Sequence, residues 1–574
     1  MILFKLKSIK YDFKKLKTLI TLFRDSGWKL IIKLLLLNLL SNLVSLLGVG
    51  ILLSFIFNLK VLEIFHFEIN YSISINNSIF LLFILIIFRT LLQVKISLSL
   101  ESLKISFGNS LKNEFLKIIV FSPSHKLEKI GRSNLQALLF SEIDSSVFAL
   151  DSGVKILQNL ITIFFYVLIF IFLGSKNSQP IFLSLFTIAT ASLFQTSGAW
   201  VLGKKRLAFI KSINRIVSDG LYGLKAIRAA GAQEWFLKQY KNESNAYKEN
   251  IIQYLKNNVI FNLIKESLLF AIVMVWALFF LKNLSKEYLI TTLLVSYRCV
   301  NLFSLLITNQ RFCINKLPSY ESLYKTRSKL NSYKVNLTHN KLQTFFISNI
   351  DKYKGFKSIH WQSNSTTKIK DIVLKKGNLI VITGESGVGK TTLIEGFCGL
   401  FNENHSNWII EFNKKEITLK GANGSNELKN LIAYSPQNTF LFETTLRENI
   451  LFDNKLSNFE IRKWFKKIGL NYLLENNAIL DKELSTTLNA FSDGEIHRLG
   501  LLRTWLRDLP IEILDEPTAY LDEVTSRKIS KIISDRSKYK FTLVSSHDPY
   551  LIDMADEIIE LKKIDREDLR KYHV

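Results

Sequence analysis

The residues best equipped for chemistry lie in the carboxyl-terminal third, where 378–400 read NLIVITGESGVGKTTLIEGFCGL. An apolar strand-like run, Leu379 to Thr383, enters Gly384, and the spacing G-x-x-x-x-G-K-[ST] follows before a helical pattern. Glycines at 384, 387 and 389 let backbone N–H groups approach phosphate oxygens, and the helix amino terminus adds positive potential. Lys390 is placed to reach the β- and γ-phosphates of a nucleotide, and the Thr391 hydroxyl to ligate Mg²⁺. A second stretch, IEILDEPTAYLD at 511–522, delivers Asp515 to a metal and Glu516 to an attacking water. Phosphoryl transfer depends mainly on positioning and electrostatics, so an acidic pair at a strand end suits it. Within that strand Glu512 stands where an apolar residue is expected, which implies either a solvated edge or a partner.

The elements that hold these groups form an ordinary α/β pattern from about residue 346 onward, with turn residues between strands and helices. The preceding part is different. Hydrophobic residues make up 48% of the 574-residue chain, and the long apolar runs fill 30–308. We read a transmembrane domain over 1–310, a polar and basic linker over 311–345, and an α/β P-loop domain over 346–574. Spans are expected at about 30–57, 79–97, 154–174, 180–203, 259–281 and 288–308. No cleavable signal is expected, because the first apolar run outlasts an h-region and no small-residue cleavage site follows.

Loop charge sets the expected orientation. Segments 1–29, 96–153 and 204–258 hold 25 Lys and Arg, whereas 58–78, 175–179 and 282–287 hold 4. The positive-inside rule then puts both termini, both long loops and the P-loop domain in the cytoplasm of a multi-pass protein of the inner or plasma membrane. The long loops carry helical apolar spacing, as in LQALLFSEIDSSVFAL, so the spans should continue as helices before turning back. The net charge of +26 follows that topology and a general Lys bias, which argues against nucleic-acid binding. Cys299, Cys313 and Cys398 have no metal or disulfide spacing. Arg89 and Arg298 lie inside apolar runs. Either they face a substrate path and favour an anionic group such as a lipid phosphate, or they pair with backbone carbonyls or a carboxylate such as Glu266.

With these motifs in order, the chain resembles the ATP-binding cassette (ABC) transporters, specifically exporter-type half-transporters with six spans fused ahead of one nucleotide-binding domain. The resemblance covers essentially the whole chain and is most specific over 379–550. It implies ATP and Mg²⁺ as ligands, with the phosphate loop Gly384, Glu385, Ser386, Gly387, Val388, Gly389, Lys390, Thr391 and Thr392 around the phosphates. AYSPQNTFLFETTLRENI is similar to the family's Q-loop, which implies Gln437 near the metal and the water. AYLD resembles the D-loop ending in Asp522, and VSSHDP the switch strand with His547 on the γ-phosphate. GLKAIRAAGAQE is similar to the cytoplasmic helix before the fifth span. An adenine-stacking aromatic is also implied. Trp361 in KSIHWQSNSTT is the candidate, although a two-residue register shift puts Ser363 there, and Trp361 as a buried strand residue is an equal reading.

The family's signature, L-S-G-G-Q, caps the γ-phosphate of ATP held by the opposite subunit. Here the segment is Phe491-Ser492-Asp493-Gly494-Glu495. Ser492 and Gly494 remain as candidate contacts. Asp493 brings a carboxylate toward a phosphate, a repulsion of roughly 1–4 kcal/mol at about 4 Å, and a side chain where glycine allows close approach. The resemblance therefore implies ATP-driven export of a lipid, glycolipid, peptide or drug by a dimer, formed with a second copy or with a paralogue. The alternative is a regulatory or scaffold subunit that biases a competent partner.

Overall fold

The structure, a computed structural model, describes residues 15–57, 61–64, 67–70, 75–122, 124–173, 197–280, 286–331, 356–363, 371–400, 406–412, 415–420, 428, 430–452, 454–474, 480–484 and 491–562. Two compact units emerge: residues 1–120 with 130–332, and residues 121–129 with 333–574. The nine residues 121–129, from the first long loop, thus group with the carboxyl-terminal unit.

The first unit is helical. Its long helices are α1 (Trp28–Phe57), α2 (Ile75–Phe121), α3 (Ile143–Leu173), α4 (Ser197–Tyr222), α5 (Gln233–Phe280) and α6 (Lys286–Asn331). A two-stranded antiparallel hairpin, β1 (Val61–Ile64) with β2 (Phe67–Asn70), joins α1 to α2. Among the described residues, three helical stretches are long and apolar enough to cross a membrane: Trp28–Gly48, Ile79–Phe121 and Arg132–Phe165. The helices run well past their apolar stretches. α2 has 47 residues, about 70 Å at 1.5 Å per residue, more than twice a hydrocarbon core. Most of the fourth expected span, 180–203, lies outside the described residues, as do the side chains of Arg298 and Glu266. Arg89 is exposed on α2 and pairs with no carboxylate among the described residues.

Beyond the apolar stretches, polar contacts tie the helices together. Arg327 of α6 reaches Asp25 at 2.8 Å and Glu114 of α2 at 2.7 Å, and Tyr320 donates to the same Asp25 at 2.7 Å. Lys211 of α4 meets the buried Glu142 at 2.9 Å. A charge taken from water is tolerated when paired this way.

The second unit is α/β. A five-stranded parallel sheet has the order β11-β5-β10-β9-β8, built from β5 (Leu379–Gly384), β8 (Ile432–Ser435), β9 (Ile511–Asp515), β10 (Phe541–Ser545) and β11 (Glu557–Leu561). Every residue of β9 and β10 is buried, as expected for central strands covered on both faces. A four-stranded antiparallel sheet adds β3 (Phe356–Ser363), β4 (Asp371–Lys375), β6 (Ser406–Phe412) and β7 (Lys415–Lys420) in the order β4-β3-β6-β7. Glu512, the polar residue in β9, is 1% exposed and has a partner: Arg536, whose Nε lies 3.0 Å from both carboxylate oxygens.

Candidate functional site

The carboxyl ends of β5, β9 and β10 meet at one edge of the parallel sheet, where ligands of such sheets bind. The loop after β5 owes its shape to glycine. Gly384 has φ +142° and a built Cβ would lie 2.4 Å from the Leu561 carbonyl oxygen; Gly387 and Gly389 have φ +78° and +105°. A Cβ on either of the last two meets nothing within 4 Å, so the loop backbone is open where phosphates would approach. Gly389 is the left-handed N-cap of helix α7 (Lys390–Phe397), and no side chain caps that end. Its first N–H groups are therefore free for an anion.

Lys390 is buried and bent back over this loop. Its Nζ donates to the Gly384 carbonyl at 2.8 Å, contacts His547 Nε2, and lies 3.6 Å from Glu516 Oε1. His547 Nε2 is 3.7 Å from the same carboxylate oxygen. Glu516 reaches this position from a left-handed backbone, φ +49°, which is uncommon for a non-glycine residue. Its N–H is held there by donating to the Ser545 carbonyl and to the Ser545 hydroxyl oxygen, both at 3.0 Å. The Ser545 hydroxyl also donates to Asp515 Oδ1. Asp515 is 1% exposed and, among the described residues, its Oδ2 has no hydrogen-bond partner. A buried carboxylate oxygen left free beside a phosphate loop fits a Mg²⁺ ligand, and Thr391 stands at the start of α7 on the same edge.

Three expected residues take part in the local structure. Trp361 is corrected: its ring is 1% exposed, packed at 5.9 Å from the Phe397 ring and against Gly396, with no face open to a base. It sits on the inward face of β3 because strand alternation puts Ile359 and Trp361 on the same side. Ser363 ends that strand. Asp522 caps the helix Glu523–Ser537, accepting from the Thr525 N–H at 3.1 Å. Ser492 caps helix α8 (Asp493–Leu506) through a capping box with Glu495. The Ser492 hydroxyl donates to Glu495 Oε2 at 2.9 Å and accepts from the Glu495 N–H at 3.3 Å. Asp493 is exposed in the first turn of that helix, and a Cβ on Gly494 would lie 2.9 Å from the Tyr520 carbonyl. Burial would raise the Glu495 carboxyl, but donors from Tyr472 and Ser492 and the nearby Arg498 hold it below the usual carboxylate range. The first turn therefore carries two negative charges.

Sequence reasoning missed His497. It lies one turn into α8, 2% exposed, with neither ring nitrogen in a hydrogen bond. Its ring faces the Tyr520 ring at 6.1 Å. Burial lowers its pKa, while the backbones of Pro517, Gln437 and Glu516 pull the other way without reaching hydrogen-bond geometry. Half-buried Gln437 follows β8, whose Ser435 pairs with Leu514 of β9, two residues ahead of Gln437 and Glu516 respectively. The Ser-x-x-Glu spacing at 492–495 was a visible capping-box signal; nothing in the sequence singled out Ser545.

A glycine-shaped phosphate loop, an acidic strand end and a histidine after the neighbouring strand define an ATP-binding cassette domain. Residues 369–519 match the ABC transporter family. The chain is 29% identical over 187 residues to the glutathione/L-cysteine transport system ATP-binding/permease protein CydC of Escherichia coli, 32% of each chain. It is 28% identical over 205 residues to the ATP-dependent lipid A-core flippase of Wigglesworthia glossinidia brevipalpis, 35% of this chain and 34% of that one. With the nisin transport ATP-binding protein NisT of Lactococcus lactis it shares 29% over 223 residues, 37% and 36%. The aligned stretches thus span about a third of these relatives. The fold matches that of a bacterial Atm1-family ABC exporter with ATP bound, TM-score 0.73 at 14% identity over 95% of this chain and 96% of that one. Residues 369–519 thus carry an ABC transporter domain, and the chain as a whole has the fold of that exporter, with a helical region ahead of the nucleotide-binding domain.

Proposed function

We propose that this half-transporter hydrolyses ATP as one of a pair, with a second copy or a paralogue, and uses the cycle to export a hydrophobic or amphipathic substrate. The carrying observation is the convergence of Lys390 and His547 on one Glu516 carboxylate oxygen beside a glycine-shaped loop. In this reading Lys390 and the α7 amino terminus bind the phosphates of ATP. Asp515, Thr391 and Gln437 would hold Mg²⁺, which would neutralise charge on the phosphate oxygens. Glu516 orients and deprotonates the attacking water. His547 donates to the γ-phosphate oxygens, and Glu516 fixes its ring. ATP favours the closed pair and hydrolysis reopens it, so the membrane helices alternate between two arrangements whose relative stability the nucleotide sets. The P-loop domain lies on the cytoplasmic side with both termini.

The segment 491–495 serves the mate's nucleotide in this scheme, and its two carboxylates weaken that service. A mate that supplies an uncharged turn to this chain's own Glu516 gives a working site even so. The test is MgATP-dependent accumulation of fluorescent phospholipid and peptide probes by inverted proteoliposomes, with the hydrolysis rate measured in parallel. Replacing Asp493→Gly and Glu495→Gln together should raise hydrolysis about tenfold, the low end of the like-charge repulsion relieved. An unchanged rate removes the charged turn from the account, and hydrolysis without movement of any amphipathic probe contradicts export.

A further inference from the structure

A cavity of ≈ 400 Å³ opens between α1 and α2, lined among others by Lys33, Leu34, Leu91, Lys95, Ser99 and Ser102. That volume lies within the roughly 300–1,000 Å³ range of small-molecule pockets. Lys33 lies near the start of the apolar run of α1, and Lys95 follows Val94 in α2. Both ammonium-bearing side chains line the same groove, beside Leu34 and Leu91 and beside Ser99 and Ser102. Both lysines are exposed, and among the described residues no carboxylate pairs with either.

We infer that this groove binds an anionic phospholipid. Lys33 and Lys95 hold its phosphate, Ser99 and Ser102 donate to headgroup oxygens, and the leucines take an acyl chain. Charge decides the occupant. A helix of a second copy lying in the groove leaves two ammonium groups desolvated without a counter-charge, which is costly. A zwitterionic lipid answers them only in part, whereas an anionic headgroup brings a net opposite charge to the interface, where basic residues near an anionic surface are attracted. The proposal rests on the placement of α1 and α2 in a membrane; resistance of the chain to alkaline extraction checks that separately.

The experiment uses the full chain in nanodiscs of mixed phosphatidylglycerol and phosphatidylcholine, exchanged into detergent, with retained lipid counted by native mass spectrometry. The wild-type chain should retain phosphatidylglycerol over phosphatidylcholine. The pair Lys33→Ala/Lys95→Ala should retain about tenfold less, and Lys33→Arg/Lys95→Arg should restore retention, which also shows that the position tolerates change. The exposed pair Lys248→Ala/Lys256→Ala, equal in charge removed, should retain as much as wild type. Equal retention in the Lys33/Lys95 alanine pair, equal loss in the control pair, or no selective retention by the wild type overturns the assignment.

Discussion

Glu516→Gln should leave MgATP binding intact and cut kcat for hydrolysis about 10³-fold. The amide keeps the shape of the side chain and the left-handed backbone at φ +49°, since the Glu516 N–H still meets Ser545 at 3.0 Å. What goes is the base. The carboxylate oxygen that sits 3.6 Å from Lys390 and 3.7 Å from His547 is the group able to take a proton from water and to steady the imidazole. General-base catalysis by a positioned carboxylate contributes about 10²–10⁴-fold. Single-turnover hydrolysis with a fluorescent nucleotide separates the two effects: affinity should move less than threefold while the chemical step collapses. A rate within tenfold of wild type would mean that another group takes the proton.

Arg536→Ala should lower the stability of the nucleotide-binding domain by about 3–5 kcal/mol, because it strands a charged Glu512 that is 1% exposed. The guanidinium meets both Glu512 oxygens at 3.0 Å, also reaches Asp508 at 3.2 Å, and lies 5.2 Å from the centre of the Trp464 ring. Its loss removes packing as well as charge. For a domain of this size the change corresponds to roughly 10 °C in the temperature at which nucleotide binding is lost. Replacing both partners by apolar residues, Glu512→Leu with Arg536→Met, should recover most of it, since the desolvation cost of the pair vanishes with the pair. If the double variant is as unstable as the single one, packing at Arg536 rather than the stranded carboxylate sets the loss.

The contrast between these two sites marks what the sequence carries and what it does not. Lys390, Asp515 and Glu516 were legible because a phosphate loop and an acidic strand end are local patterns, readable within a dozen residues. Glu512 was visible as an anomaly, but its partner lies 24 residues away across a sheet and helix, and only packing brings them together. Trp361 was open between two readings because strand alternation fixes the parity of a residue but not which side is the core. Asp493 was legible as a charge. The use of Glu495 to close a capping box over Ser492, which keeps a second charge in the same turn, required the hydrogen bonds themselves. His497 hid for a similar reason: its neighbours Gln437, Glu516 and Tyr520 come from two segments far from it in sequence. The helical region was read from hydropathy and loop charge, and the continuation of α2 and α5 past their apolar runs followed from the same periodicity, whereas α6 runs on to Asn331 through residues read as linker.

The central claim is that Glu516 becomes effective only when a second polypeptide supplies the turn that its own chain places elsewhere. Single-turnover hydrolysis in nanodiscs sorted by the number of chains they hold tests this directly. Discs with one chain should bind MgATP and hydrolyse it at no more than about one hundredth of the rate per site seen when a second copy or a paralogous half-transporter shares the disc. Equal rates per site in one-chain and two-chain discs would contradict the account.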